Sequence, residues 1–166
     1  YHGSASGLSS TPNWTAESDQ TYAEFGFSAG TAGDINGDGY TDVIVGARNY
    51  ANGQTGEGRT FVYHGSVSGL GLSPSWMADG DQDYARFGSA VGTAGDVDGD
   101  GYADVIVGAH YYDNGQMDEG RAFVYHGSAT GLSPNANWTA ESNQASAYFG
   151  FSVGTAGDVN GDGYAD

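Results

Sequence analysis

Cysteine and lysine are absent from this 166-residue chain, and proline occurs only three times. Without cysteine there is no disulfide framework and no thiolate metal site. Without lysine a P-loop is excluded, because that motif needs the amine to reach the phosphates. Four arginines stand against 21 acidic residues, a formal charge of −17, so DNA or RNA would be repelled and a nucleic-acid role is excluded. No apolar run approaches the roughly 18 residues of a membrane span, and no long stretch sets apolar residues at helical spacing. A signal peptide is also missing, but Tyr1 opens a stretch, "YHGSASGLS", that returns in variant form at Tyr63 and Tyr125. Tyr1 therefore lies inside a repeat, and the missing signal is silent on secretion.

What remains is 30 glycines with frequent Val, Tyr, Phe and Thr, and 13% aromatic residues, a composition for an all-β protein with many tight turns. The order in it is periodic. "FGFSAGTAGDINGDGYTDVIVGA" at 25–47 returns at 87–109 with six of 23 positions changed, and again from Phe149. The repeat is 62 residues. Within one unit the pattern predicts a first strand over about Phe27–Gly33, an acidic loop, and a second strand over about Asp42–Arg48. A third strand is expected over about Arg59–His64 after the "GQTGEG" hairpin, and a fourth near Trp76. Val43, Ile44 and Val45 do not alternate with polar residues, which suits a strand covered on both faces. Four antiparallel strands per unit is the anatomy of a β-propeller blade, with a stacked β-solenoid as the rival. The chain divides into 1–24, the end of one blade with its third and fourth strands; 25–86 and 87–148, two complete repeats; and 149–166, the first strand and acidic loop of another. The ring is incomplete over this segment, so the expectation is a longer chain or self-association that completes the ring or forms a polymer.

The acidic loops carry the chemistry. Asp34, Asn36 and Asp38 alternate, Tyr40 follows Gly39, and Asp42 closes the loop. Oxygen-bearing side chains at odd spacing in a glycine-bent loop converge on one hard cation, and Ca²⁺ is the natural guest. An EF-hand opens in the same way but requires a bidentate Glu at the twelfth position, where this chain has Val45 and Val107.

The unit resembles the FG-GAP repeat of integrin α subunits and bacterial surface proteins: "FG" at Phe25-Gly26, Phe87-Gly88 and Phe149-Gly150, then the acidic loop, then "VIVGA". The family's closing "GAP" reads "GAR" at Arg48 and "GAH" at His110. The resemblance implies a Ca²⁺ ion in each loop, up to three. The implied ligands are Asp34, Asn36, Asp38, the Tyr40 carbonyl and Asp42; then Asp96, Asp98, Asp100, the Tyr102 carbonyl and Asp104; then Asp158, Asn160, Asp162, the Tyr164 carbonyl and Asp166. It also implies an extracellular or cell-surface (secreted) setting and an adhesion role, with a protein or glycan as ligand at a cell surface or matrix.

Other residues recur with the period and read first as structural: Trp14, Trp76 and Trp138, and His2, His64 and His126. A tryptophan per blade also permits a carbohydrate-binding propeller, and a purely structural or filament-forming repeat protein is the remaining alternative. Glu57-Gly58-Arg59 and Glu119-Gly120-Arg121 suggest inter-strand ion pairs. Asn13-Trp14-Thr15 and Asn137-Trp138-Thr139 match the glycosylation sequon. Residues outside the periodicity, namely Arg86, His110, Tyr111, Met77 and Met117, are where specificity is expected. His110 with Asp113 is the one pair suggestive of acid-base chemistry. No catalytic set can be assigned, and the chain is read as non-enzymatic.

Overall fold

The computed structural model describes residues 1–166 and contains ten strands and no helix. A short hairpin comes first, β1 (Gly3–Ser4) with β2 (Gly7–Leu8). Two four-stranded antiparallel sheets follow. The first is ordered β3 (Phe25–Gly33), β4 (Asp42–Ala47), β5 (Arg59–Tyr63), β6 (Trp76–Asp79). The second repeats it as β7 (Ala90–Gly95), β8 (Asp104–Ala109), β9 (Arg121–Tyr125), β10 (Trp138–Glu141). Val43 faces Tyr63 and Ile44 faces Val62 in the first sheet, and Val105 faces Tyr125 and Ile106 faces Val124 in the second. The sheets are open meanders, each one propeller blade.

The non-alternating "VIV" run is explained by what covers it. Ile44 and Val62 of the first blade pack with Phe87, Val105, Val107 and Tyr125 of the second in one core that also takes in Ile35 and Leu132. A smaller core sets Val45, Ala47, Phe61 and Tyr63 against Trp14 and Ala23. Each fully buried side chain of this size contributes about 1.5–3 kcal/mol. The innermost strands β3 and β7 lie side by side, and their small residues let the blades close up. The tightest point is a strand lower: a methyl group on Gly46 would sit 1.9 Å from the Gly88 carbonyl oxygen, and one on Gly108 the same distance from that of Gly150. "VGA" is therefore a packing requirement.

Two of the three recurring tryptophans fasten blade to blade, and the third, Trp138, is exposed. Trp76 Nε1 donates to the Ser133 carbonyl (3.0 Å) and its ring meets Tyr125 edge-on at 4.9 Å. Trp14 does the same with Gly71 (2.9 Å) and Tyr63 (4.9 Å).

The structure departs from the expected strand limits at several points. β3 starts two residues early, with an irregular register between Phe25 and Ser28, and β4 and β5 each stop one residue short. Both first strands also bulge just before the acidic loop, between Thr31 and Gly33 and between Thr93 and Gly95. In each bulge the threonine hydroxyl accepts the glycine N–H. Around Trp14 no strand forms. Residues 152–157 are likewise irregular.

Candidate metal centre

The acidic loops join the first strand of a blade to the second, and backbone amides dictate their shape. In loop one, Asp34 Oδ1 accepts the Asp38 N–H (3.1 Å) and Oδ2 the Gly39 N–H (2.8 Å), while Asp38 Oδ1 accepts the Tyr40 N–H (2.9 Å). These bonds wind the chain around its own carboxylates. Loop two repeats them: Asp96 accepts from Gly99, Asp100 and Gly101, and Asp100 from Tyr102. So does loop three, where Asp158 accepts from Gly161, Asp162 and Gly163. Those amides, Gly163 first, hold the Asp158 carboxyl below the ordinary carboxylate range.

The closing aspartate has a second task. Asp42 is fully buried, with Oδ2 accepting the Ile35 N–H (2.9 Å) and Oδ1 the Gly65 N–H (2.8 Å). Asp104 does the same with Val97 and Gly127, both at 2.8 Å. Each ties its loop to the "YHG" turn that follows the third strand. Burial pushes both carboxyls above their ordinary value, although these amides pull the other way. Asp166 keeps the first of the two contacts, to Val159 (2.9 Å).

The donor set fits a hard divalent cation. Ligand atoms of Asp96, Asp98 and Asp104 lie within 4.8 Å of one another, a separation one ion spans at ordinary Ca–O distances of about 2.3–2.6 Å. Asp104 is buried, Asp96 half-buried and Asp98 exposed, and no lysine or arginine stands among them.

A histidine abuts each of the first two loops. His126 Nδ1 is 2.8 Å from Asp98 Oδ2, and His64 Nδ1 is 3.3 Å from Asn36 Nδ2. The sequence reading took these histidines as packing residues and missed the contact. The signal was present, since each histidine follows the third loop position by 28 residues in both repeats.

At the other end of the blades the expected ion pairs are in place. Arg59 bridges to Asp79 through Nε (2.6 Å) and a terminal nitrogen (2.7 Å), and the pairing raises the arginine pKa further. Arg121 pairs with Glu141 at 2.7 Å. The glutamate of each triplet is a loop anchor that the sequence left unassigned. Glu119 is buried and accepts the Asn114 and Gln116 N–H groups, and Glu57 holds Asn52 and Gln54 in the same way. Of the residues outside the periodicity, the His110 and Tyr111 rings lie 4.3 Å apart at a tilt of 42°, and Tyr148 joins them edge-on at 5.4 Å from Tyr111. Arg86 reaches over Tyr84 in the adjoining loop, whereas Met77 and Met117 are exposed singly. The His110–Asp113 pair does not form. His110 Nδ1 faces Ser89 Oγ (2.8 Å), and Asp113 accepts the Asp118 N–H (2.6 Å).

Four-stranded blades joined through acidic, glycine-bent loops define the class: this chain carries FG-GAP repeats, the family matching residues 25–63 and 87–125. Over most of its length the chain is similar to integrin α chains. It is 37% identical to integrin alpha-V of Gallus gallus over 96% of the chain, 35% to human integrin alpha-IIb over 89%, and 34% to human integrin alpha-6 over 87%. It spans only 16%, 15% and 12% of the length of those relatives.

Proposed function

We propose that this chain is a calcium-binding FG-GAP propeller segment of an extracellular or cell-surface protein, acting as an adhesion or protein-binding scaffold. The observation that supports it most is the convergence of Asp96, Asp98 and Asp104 in a loop that recurs three times. Each loop holds one Ca²⁺ through the side chains of its first, third, fifth and ninth residues and the carbonyl of the seventh, here Tyr40, Tyr102 and Tyr164. The ion neutralises the crowded carboxylates and fixes the turn between the first two strands, and extracellular sites of this kind bind with a Kd of roughly 10⁻⁴–10⁻³ M.

The adhesion reading rests on the likeness to integrin α chains and on the opposite end of the blades. There Arg86, His110, Tyr111 and Tyr148 cluster, and arginine and aromatic residues of this kind anchor protein partners. The carbohydrate reading loses two of its three tryptophans, because Trp14 and Trp76 spend both ring and N–H on the neighbouring blade, whereas Trp138 is exposed.

Thermal unfolding in millimolar Ca²⁺, in Mg²⁺ and in excess chelator tests the metal assignment. Ca²⁺ is expected to raise the Tm where Mg²⁺ does not, through linkage of binding to folding. A Tm identical in all three would remove calcium from the reading.

A further inference from the structure

We propose that Tyr102 and Tyr164 are positioning residues for the metal loop of the preceding blade, so that calcium binding by successive loops is coupled along the chain. The inference rests on the calcium reading above and extends it from single loops to the array.

Each loop leans on the next at three points. At its entry, a methyl on Gly33 would sit 2.4 Å from the Ala103 Cβ, and one on Gly95 2.5 Å from the Ala165 Cβ. At its first ligand residue, the Asp34 carbonyl accepts the Ala103 N–H (3.0 Å), and the Asp96 carbonyl accepts the Ala165 N–H (2.8 Å). At its fourth position, Gly37 (φ 72°) lies under the Tyr102 ring and Gly99 (φ 76°) under the Tyr164 ring. A methyl would come within 2.7 Å and 2.5 Å of the respective ring carbons. The fourth residue carries the bend between the third and fifth ligands, so a ring lying on it restrains the spacing of those two side chains.

The same tyrosine offers its carbonyl as the seventh-position ligand of its own loop. One residue thus belongs to two sites. An ion that fixes the Tyr102 main chain in loop two also fixes the ring that braces loop one, and linkage makes the effect reciprocal.

The test is a Ca²⁺ titration of the whole chain followed by ¹H–¹⁵N NMR at the Gly37, Gly99 and Gly161 amides, which report the three loops separately. Tyr102→Ala leaves every ligand atom in place. It is expected to weaken binding at Gly37 by about fivefold or more, the lower end of ordinary coupling between sites, to weaken Gly99 through the same lost coupling, and to leave Gly161 unchanged. Tyr102→Phe should restore Gly37 and Gly99. Tyr164→Ala should weaken Gly99 and, through the same lost coupling, Gly161, and spare Gly37, and it keeps the test open should the first variant fold poorly. Equal weakening at all three glycines, or none at Gly37 and Gly99, overturns the coupling. A wild-type chain with no Ca²⁺-dependent shift at any glycine overturns the calcium reading itself, a result distinct from three loops that bind independently.

Discussion

His110 occupies the position that Arg48 fills one repeat earlier, and the exchange rewrites the end of the blade. Arg48 lies over the Phe27 ring at 3.4 Å and pairs with Glu24. In the second repeat those partners become Ser89 and Arg86, so His110 is buried beside cations and a hydroxyl. Ser89 Oγ donates to the Gly108 carbonyl (3.2 Å) and is left to accept from His110 Nδ1–H. Burial first, then Arg48 and Arg86, lowers the His110 pKa, against a smaller opposing pull from Asp118. The folded state therefore binds fewer protons than the unfolded one between that lowered value and the ordinary value of about 6.5. Stability is fully present above about 6.5 and is lost as pH falls through the folded pKa. Urea midpoints at about pH 5 and about pH 7 should show a wild-type loss on acidification that His110→Gln reduces. Equal losses in the two proteins would mean that His110 titrates as a free histidine.

At the scale of the strand, the fold depends on how closely one blade approaches the next. Gly46 and Gly92 are both strand glycines without positive φ, but a methyl on Gly46 collides with the Gly88 carbonyl while one on Gly92 meets nothing within 4 Å. Gly46→Ala is expected to cost about 1–3 kcal/mol as overpacking. Gly92→Ala should be neutral or stabilise by about 0.4–1 kcal/mol through the unfolded chain. Paired urea denaturation checks this, and similar shifts for both would place the blades further apart than the structure shows. The strands themselves were legible in the sequence, because the "VIV" run, the glycine turns and the 62-residue period point to one arrangement. The bulges at Thr31 and Thr93 were not, since they depend on a threonine hydroxyl taking an amide two residues on. Nor were the Glu57 and Glu119 anchors, because a surface hairpin rich in Gly and Gln gives no sign that its glutamate turns inward. The acidic loops were legible from their spacing, and the ligand set within them is what the resemblance to FG-GAP repeats implies. The contacts between loops were not legible, because residues 37 and 102 meet only once the blades are stacked.

Across the whole molecule, the arginines are sorted by topology. Ten of the 21 acidic residues lie in the three loops at one end of the blades. Arg48, Arg59, Arg86 and Arg121 all lie at the other, where the second strands end, the third begin and the fourth lead into the next blade. Composition alone gave the −17 but not this polarity. Without metal, the loop carboxylates repel one another and their neighbours across a few ångströms, and dissolved ions screen that repulsion over a Debye length of about 10 Å at 0.1 M. Raising NaCl in the presence of chelator should therefore increase the Tm. Each bound Ca²⁺ cancels two charges where they are densest, so the same salt increment should produce a smaller rise once the loops are filled. Melting curves over a salt series, with chelator and with saturating Ca²⁺, separate the two. A salt effect of equal size in both would locate the repulsion outside the loops, among the other eleven acidic residues, which lie with the arginines at the opposite end.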